Sequence, residues 1–285
     1  MMANTEPAID SVDKVIEQRK TIENFSKIRA LQTSALTLSR KGKDLVDIDK
    51  LSLSGIVAFS DDGDVVDDKD LMVEGLKKSN EKNFFVLQHA EAKELIDDGS
   101  ANSGPPAIRM GLAARSRHAE ISIIKRDIQI AKENNLKLYF QHLSTKESVD
   151  LIRIAKKEGV EIISEVTPHH LFLNENWVYG KNGIVPNFID LDSYDTNFRV
   201  NPPIRQEEDR LALLDGIKDG TIDIIATDHA PHSDGDKLST FDSAPAGING
   251  AETALPTLLT IVKKGELHIT DVISCLLYTS DAADE

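Results

Sequence analysis

The sequence has little of several features that mark common classes of protein. One cysteine, Cys275, occurs in the 285 residues, so no disulfide can form within the chain and a reducing, cytoplasmic location is expected. No apolar run approaches the roughly 18–20 residues that span a membrane, and the N-terminal sequence MMANTEPAIDSVDK has no signal-peptide pattern. Basic side chains are outnumbered by acidic ones, 33 to 48, which gives a formal net charge of −15. Such a surface repels phosphate backbones, which argues against nucleic acid as a partner.

Motifs of several large enzyme classes are absent too. The sequence has no P-loop, no G-x-G-x-x-G nucleotide fingerprint and no G-x-S-x-G nucleophile motif. Its composition is that of an ordinary globular protein, with 40% apolar and 28% charged residues. Histidines and carboxylates are therefore the remaining candidates for catalytic chemistry.

Short apolar runs alternate with helical patterns along most of the chain. Six of these runs are predicted strands, at 28–38, 55–59, 84–87, 136–140, 160–166 and 222–226. The predicted helices lie at 70–78, 119–134, 148–158, 207–218 and 252–263. This alternation indicates an α/β fold of parallel βα units, either a closed (β/α)8 barrel of the TIM type or an open doubly wound sheet.

The ends of the predicted strands favour the barrel. A barrel takes its active residues from the C-terminal ends of many strands, whereas an open sheet gathers them at one switch point. At least five predicted strands here end in side chains that could bind a metal. Six strands are two fewer than a barrel needs, so we expect the barrel to be incomplete, with about six of eight βα units in this sequence. The complete protein is then expected to extend N-terminal of Met1.

Histidines and carboxylates at these strand ends are the candidate functional residues. They are Asp61, Asp62, His89, His142, His169, His170, Asp228, His229 and His232. Histidine nitrogen and carboxylate oxygen together suit zinc or a similar divalent ion, which can activate water for attack on a carbonyl group. A nearby carboxylate can take a proton and return it to the leaving nitrogen.

Each candidate also has a plainer explanation when it is taken alone. The sequence Asp61-Asp62-Gly63 is typical of a turn, and Asp228 could cap a helix. A single histidine after a strand commonly orders a loop. Because four successive motifs fall at equivalent strand ends, the pattern as a whole predicts a metal-dependent hydrolase.

Seven motifs in order resemble one known family. They are FSDDG, QHAEA, QHLSTKES, EVTPHHLFL, NPPIR, DGTIDIIATDHAPH and AGINGAETALP. They resemble the bacterial class I dihydroorotases of the cyclic amidohydrolase superfamily, from Asn4 to about Ser274. The resemblance implies a (β/α)8 barrel with two zinc ions. It also implies the reversible ring closure of N-carbamoyl-L-aspartate to dihydroorotate in pyrimidine biosynthesis, with a possible homodimer or association with aspartate transcarbamoylase.

The same resemblance assigns roles to individual residues. Asp62 would bridge the two metal ions, His89 and His142 would hold the second zinc, and Asp228 would bind the first zinc and act as general acid and base. The residues implied to bind substrate are Asn4, Asn201, His232, Ala246 and Gly247. The remaining histidines of the candidate set, His169, His170 and His229, would support local structure.

The sequence also departs from the family pattern. The family's His-x-His-x-Arg, at the end of its first barrel strand, is absent, and the first two strands and a small N-terminal β-domain are missing with it. Ala3, the HAEA sequence and Ala246 replace more usual residues, and 177–192 resembles an inserted loop. We expect residues 1–274 to form a partial barrel, residues 275–285 to be a non-native, adapter-derived tail, and the chain alone to be inactive.

Two other functions remain open at the level of sequence. Dihydropyrimidinases, hydantoinases and allantoinases are similar in layout, but they generally carry a carboxylated lysine where this chain has SDDG. A non-catalytic partner of aspartate transcarbamoylase would keep the barrel and lose zinc ligands. The survival of Asp62, His89, His142 and Asp228 argues against that second alternative.

Overall fold

The computed structural model describes residues 1–182 and 192–281. Strands and helices alternate along the chain. The helices are α1 (Val12–Phe25), α2 (Ile48–Leu51), α3 (Lys69–Glu81), α4 (Pro105–Met110), α5 (His118–Asn134), α6 (Lys146–Lys157), α7 (Pro168–Phe172), α8 (Glu207–Lys218), α9 (Asp234–Lys237), α10 (Ala254–Lys263) and α11 (Ile269–Asp281). The strands are β1 (Ala58–Phe59), β2 (Phe85–Gln88), β3 (Ala101–Asn102), β4 (Ala114–Arg115), β5 (Leu138–Phe140), β6 (Ile162–Val166) and β7 (Ile224–Ile225).

The chain divides into two compact units that share some of its elements. The first unit comprises Met1–Lys93, Ile123–Gln141 and Ala155–Ile162. The second unit comprises Glu94–Ser122, His142–Ile154 and Ile163–Glu285.

Parallel strands form the centre of the first unit. Strand β1 pairs with β2 in the register Ala58↔Phe85, and β2 pairs with β5 in the register Leu87↔Tyr139. Phe59 and Phe140 are fully buried, as expected for short apolar strands covered on both faces. Parallel pairing brings the C-terminal ends of these strands to one edge, which is where the predicted site residues follow.

Helix α3 shows how the sequence directs one of the connections in the first unit. Asp68 caps its N-terminus, since Oδ1 accepts a hydrogen bond from Leu71 N at 2.9 Å. Met72 and Leu76 lie four residues apart on one face and are both fully buried. The helix therefore packs against strand β2 through that apolar face.

The second unit contains two further parallel pairs and a cluster of helices. Strand β6 pairs with β7 in the register Glu165↔Ile224, and β3 pairs with β4 in the register Ala101↔Ala114. Helix α8 starts with a capping box, in which the side chains of Gln206 and Asp209 each accept a hydrogen bond from the other's backbone. Helix α7 packs against both α8 and α10.

The predicted strand at 28–38 is wrong. The structure has two isolated bridges there instead of a strand, a parallel one between Ser34 and Phe59 and an antiparallel one between Thr37 and Leu45. The backbone N–H groups of Leu36 and Thr37 donate to the Asp61 carboxylate, at 2.8 and 3.0 Å, rather than to a neighbouring strand. Backbone pairing with the β1 segment is limited to residues 32–34, and the Asp61 carboxylate takes the donors that follow.

The other five predicted strands are present, and the structure adds elements that the patterns did not reveal. Helix α1 was not predicted because it buries only Val15 and its sequence lacks a clear apolar periodicity. Helix α11 continues past Ser274 to Asp281, across the predicted boundary of the tail. The predicted loop at 177–192 lies mostly outside the described residues. Among the described residues, no helix is both long enough and apolar enough to cross a membrane.

Candidate metal and substrate site

Asp62 and His89 come together at the C-terminal ends of two paired strands. His89 follows β2 directly, and Asp62 lies three residues beyond the end of β1. The pairing of β1 with β2 places both residues at the same edge, and His89 Nδ1 lies 3.8 Å from Asp62 Oδ1. Both residues are buried. Two ligand-type side chains from separate motifs therefore meet in the first unit, as the sequence predicts.

Hydrogen bonds fix the Asp62 carboxylate from two sides. Asn4 Nδ2 donates to Asp62 Oδ2 at 2.7 Å, and Gln141 Nε2 donates to Asp62 Oδ1 at 3.3 Å. The backbone N of Asp62 donates to Ser60 Oγ at 3.1 Å. Asn4, a predicted substrate residue, is thereby placed directly beside a predicted metal ligand.

A second carboxylate contacts the other side of the His89 ring. Glu91 is buried, and its Oε2 lies 3.3 Å from His89 Nε2. A carboxylate oxygen accepts, so a proton on Nε2 would bond to Glu91 and leave the Nδ1 lone pair on the side of Asp62. Sequence reasoning missed Glu91, although a carboxylate two residues after a histidine could have indicated it.

Asp61 has a structural role. Besides the two backbone donors in 36–37, its Oδ2 accepts a hydrogen bond from Thr37 Oγ1. Burial raises the pKa of Asp61 above its ordinary value, while the hydrogen bonds from Thr37 and Leu36 lower it. Of the adjacent pair, Asp61 therefore holds the preceding loop, and Asp62 faces His89.

His142 directly follows Gln141 and is the first residue of its segment in the second unit. Its side chain is buried, and its backbone N donates to Glu165 Oε1 at 3.3 Å. Two residues on, the buried Glu120 carboxylate accepts hydrogen bonds from the backbone N of Ser144 at 3.2 Å and of Thr145 at 3.1 Å. These bonds hold the segment that carries His142.

Two predicted metal ligands have an unusual backbone conformation. The φ angle is +27° at His142 and +46° at Asp228. Positive φ is uncommon outside glycine and costs energy, so such residues cluster where function requires a fixed side-chain direction. Asp228 follows β7 and is partly buried.

The loop after Asp228 places His232 beside two other predicted substrate residues, Ala246 and Gly247. His232 Nε2 donates to the carbonyl oxygen of Ala246 at 3.0 Å. Gly247 has a φ of +146°, and a Cβ atom there would lie 2.4 Å from Ala230 O, so only glycine fits. His229 Nδ1 accepts a hydrogen bond from Ala251 N at 3.2 Å and supports this loop.

Asn201 lies on a separate loop of the second unit and contacts an arginine. Arg115 Nη1 donates to Asn201 Oδ1, and Arg115 Nε donates to the carbonyl oxygen of Gly99 at 3.0 Å. Arg115 is a second residue that the sequence reasoning missed, because it follows no strand with a recognisable apolar run. Its charge lies beside a predicted substrate contact.

His170 supports local structure through both of its ring nitrogens. Nδ1 lies 2.7 Å from Thr167 Oγ1, and Nε2 donates to the carbonyl oxygen of Pro202 at 3.0 Å. Burial lowers the pKa of His170 to about 4, and the nearby His142 adds to the effect. His169 is also buried, and burial lowers its pKa well below the ordinary value.

The sequence comparisons settle the family. The dihydro-orotase-like family profile matches residues 1–148. The chain belongs to the dihydroorotase-like family. It is 39% identical over 273 residues to a dihydroorotase of Staphylococcus epidermidis, covering 95% of this chain and 61% of that protein. It is 41% identical over 262 residues to a dihydroorotase of Caldanaerobacter subterraneus, covering 92% of this chain and 58% of that protein. The chain of this dihydroorotase-like protein thus spans about three fifths of the length of these relatives.

Solved structures show the fold of the dihydroorotase-like chain. An L-hydantoinase (dihydropyrimidinase) from Arthrobacter aurescens superposes with a TM-score of 0.79 at 21% identity, over 96% of this chain and 60% of that one. A dihydroorotase from Saccharomyces cerevisiae, in complex with 5-fluoroorotic acid, gives 0.74 at 20% identity, over 96% of this chain and 72% of that one. The predicted α/β fold, with parallel strands and intervening helices, is confirmed.

Proposed function

We propose that the full-length protein is a dihydroorotase, which interconverts N-carbamoyl-L-aspartate and dihydroorotate by reversible ring closure. The observation that carries this proposal is the meeting of Asp62, His89 and Asn4 at one edge of the first unit, in a chain of the dihydroorotase-like family. A metal-ligand pair with an amide donor beside it suits a substrate that has both a carbonyl group and a carboxylate.

The proposed ligands of a divalent metal ion are those that the sequence resemblance implies: Asp62, His89, His142 and Asp228. Within the first unit, Asp62 Oδ1 and His89 Nδ1 are close enough to share one ion, since metal bonds to these atoms are about 2.0–2.2 Å long. His142 is attached to Gln141, whose side chain contacts Asp62. One carboxylate and two imidazoles, all buried, form a donor set that fits the ion.

Zinc, two ions in the complete site, is the proposed metal. Imidazole and carboxylate ligands suit zinc, and the sequence resemblance implies a pair of ions. When bound, the metal would polarise the substrate carbonyl and lower the pKa of water.

Asp228 is the proposed general acid and base. In ring opening, its carboxylate would take a proton from water and return it to the ring nitrogen as the amide bond breaks. Ring closure would use the same steps in reverse, so the proton leaves the nitrogen first. The positive φ at Asp228 sets the direction of this side chain at the end of β7.

Five residues are proposed to hold the substrate: Asn4, Asn201, His232, Ala246 and Gly247. Asn4 has an amide that already donates to Asp62, and His232 donates to the Ala246 carbonyl, so each is held before substrate arrives. Arg115, in contact with Asn201, adds positive charge beside an acidic substrate.

An assay of the full-length protein with dihydroorotate and dihydrouracil side by side tests the proposed reaction. We expect turnover of dihydroorotate and little of dihydrouracil, because only the first carries a carboxylate. Preference for dihydrouracil would point to a dihydropyrimidinase instead. A homodimer remains a prediction that size measurement would check. Association with aspartate transcarbamoylase remains one that co-purification would check. A cytoplasmic location is likewise a prediction.

A further inference from the structure

Lys237, the last residue of α9, uses its whole ammonium group on the backbone of neighbouring loops. Its Nζ donates to the carbonyl oxygens of Gly247 at 2.7 Å, Pro245 at 2.9 Å and Thr196 at 3.1 Å. An ammonium has three donors, so these bonds use all of them. The side chain is partly buried, and burial together with the charge of Arg199 lowers the pKa of Lys237.

The three bonds join segments that are also connected to each other. Thr196 Oγ1 donates back to the carbonyl oxygen of Lys237 at 2.7 Å. The backbone N of Gly247 donates to the carbonyl oxygen of Arg199 at 2.9 Å. With the bond from His232 to Ala246 O, the loop at 245–247 is held from both sides.

Without the ammonium, this arrangement would lose its stability. Three carbonyl oxygens that point at one place repel one another and lose hydration, unless a cation lies among them. Hydrogen bonds to a charged donor are stronger than those between neutral groups. The conformation of the loop at 245–247 therefore depends on the charge of Lys237.

We propose that Lys237 is a positioning residue, which holds the backbone of Ala246 and Gly247 in the form that binds substrate. This inference rests on the proposed function, because it takes these two residues as substrate contacts. Lys237 acts through the loop and does not itself touch the substrate.

The test compares two matched variants of the full-length protein, Lys237→Met and Lys218→Met. Lys218 is an exposed lysine of the same unit that pairs with Asp215 at 3.1 Å, so its variant has the same change in charge. Amide hydrogen exchange at Gly247 reports the loop, and KM and kcat for dihydroorotate report its effect on substrate.

We expect Lys237→Met to speed exchange at Gly247 and to raise KM about tenfold, the change that losing a hydrogen bond to a charged group produces. The kcat should fall less, because the loop binds substrate and transition state alike. Thr196→Val, which removes only the return bond, should shift both readouts in the same direction to a smaller extent.

The inference is overturned if Lys237→Met and Lys218→Met match in exchange, or if exchange rises while KM stays unchanged. Faster exchange across the whole protein in Lys237→Met, without the local effect in Thr196→Val, would also count against it. Amide hydrogen exchange can be measured whether or not the protein is active. A wild-type protein without dihydroorotase activity would thus contradict the proposed function, while exchange still decides whether Lys237 holds the loop.

Discussion

His89 presents its two ring nitrogens to two buried carboxylates, Nδ1 to Asp62 Oδ1 at 3.8 Å and Nε2 to Glu91 Oε2 at 3.3 Å. The contact with Glu91 holds the direction of the ring, and a proton on Nε2 would leave the Nδ1 lone pair facing Asp62. A histidine held in this way offers a defined nitrogen to a metal, and carboxylates beyond the ligands commonly have this effect.

Glu91→Gln is predicted to weaken metal binding about 10–100-fold, the usual effect of losing such a partner. The amide cannot accept as strongly from His89 Nε2, so the ring loses its orientation. Competition with a chromophoric chelator measures the affinity. Glu94→Gln is the matched control, because Glu94 is exposed and close in sequence. Equal metal affinities of the two variants would show that Glu91 does not orient His89.

Asp228→Asn is predicted to lower kcat for dihydroorotate about 10²–10⁴-fold, since proton transfer through a side chain contributes that much. The size of the side chain is unchanged, so the far-UV circular dichroism should match that of the wild type. Asp215→Asn, a change at an exposed acid, is the control. Substantial activity in Asp228→Asn would remove the assigned role.

Gly247→Ala is predicted to raise KM for dihydroorotate and to reduce stability by about 1–3 kcal/mol, the usual cost of a forced backbone conformation. The added Cβ would lie 2.4 Å from Ala230 O and 2.9 Å from His232 Nε2. Gly235→Ala is the control, because its Cβ would meet only Ser233 Oγ, at 3.8 Å. Urea unfolding and steady-state kinetics give the two readouts, and a tolerated Gly247→Ala would refute the close packing.

His170 is predicted to make the protein less stable as pH falls from about 6.5 toward 4. Its folded pKa of about 4 lies below the ordinary 6.5, so the unfolded state binds the proton first. Stability is therefore greatest above pH 6.5 and falls by up to about 3 kcal/mol across this window. Urea unfolding at a series of pH values measures the slope, which His170→Asn should flatten. An unchanged slope in that variant would show that a group other than His170 takes up the proton on unfolding.

Much of the framework could be predicted from the sequence, because apolar periodicity survives wherever an element is well buried. Helix α8 was predicted at its observed bounds, 207–218, and all five strands that precede candidate residues are present. The pairing of Asp62 with His89 also follows from parallel strands, since their C-terminal ends meet.

The failures share a physical cause, which is that specific side-chain contacts rather than sequence periodicity decided the local structure. The Asp61 carboxylate takes the N–H groups of Leu36 and Thr37, so the backbone pairing of 32–34 does not continue into them. Glu91 contacts His89, and Lys237 contacts three backbone carbonyl groups. Neither set of contacts follows from a helix or strand periodicity in the sequence. The positive φ angles at His142 and Asp228 could not be predicted either, because neither residue type requires them.

The most direct test of the metal site is a crystal structure of the full-length protein, with anomalous diffraction data collected at the zinc edge. The proposal predicts an anomalous peak bound by Asp62 Oδ1 and His89 Nδ1, and its loss in His89→Ala crystals grown with zinc. A zinc-soaked crystal with no peak at Asp62 and His89, or with zinc held only by other residues, would contradict the account.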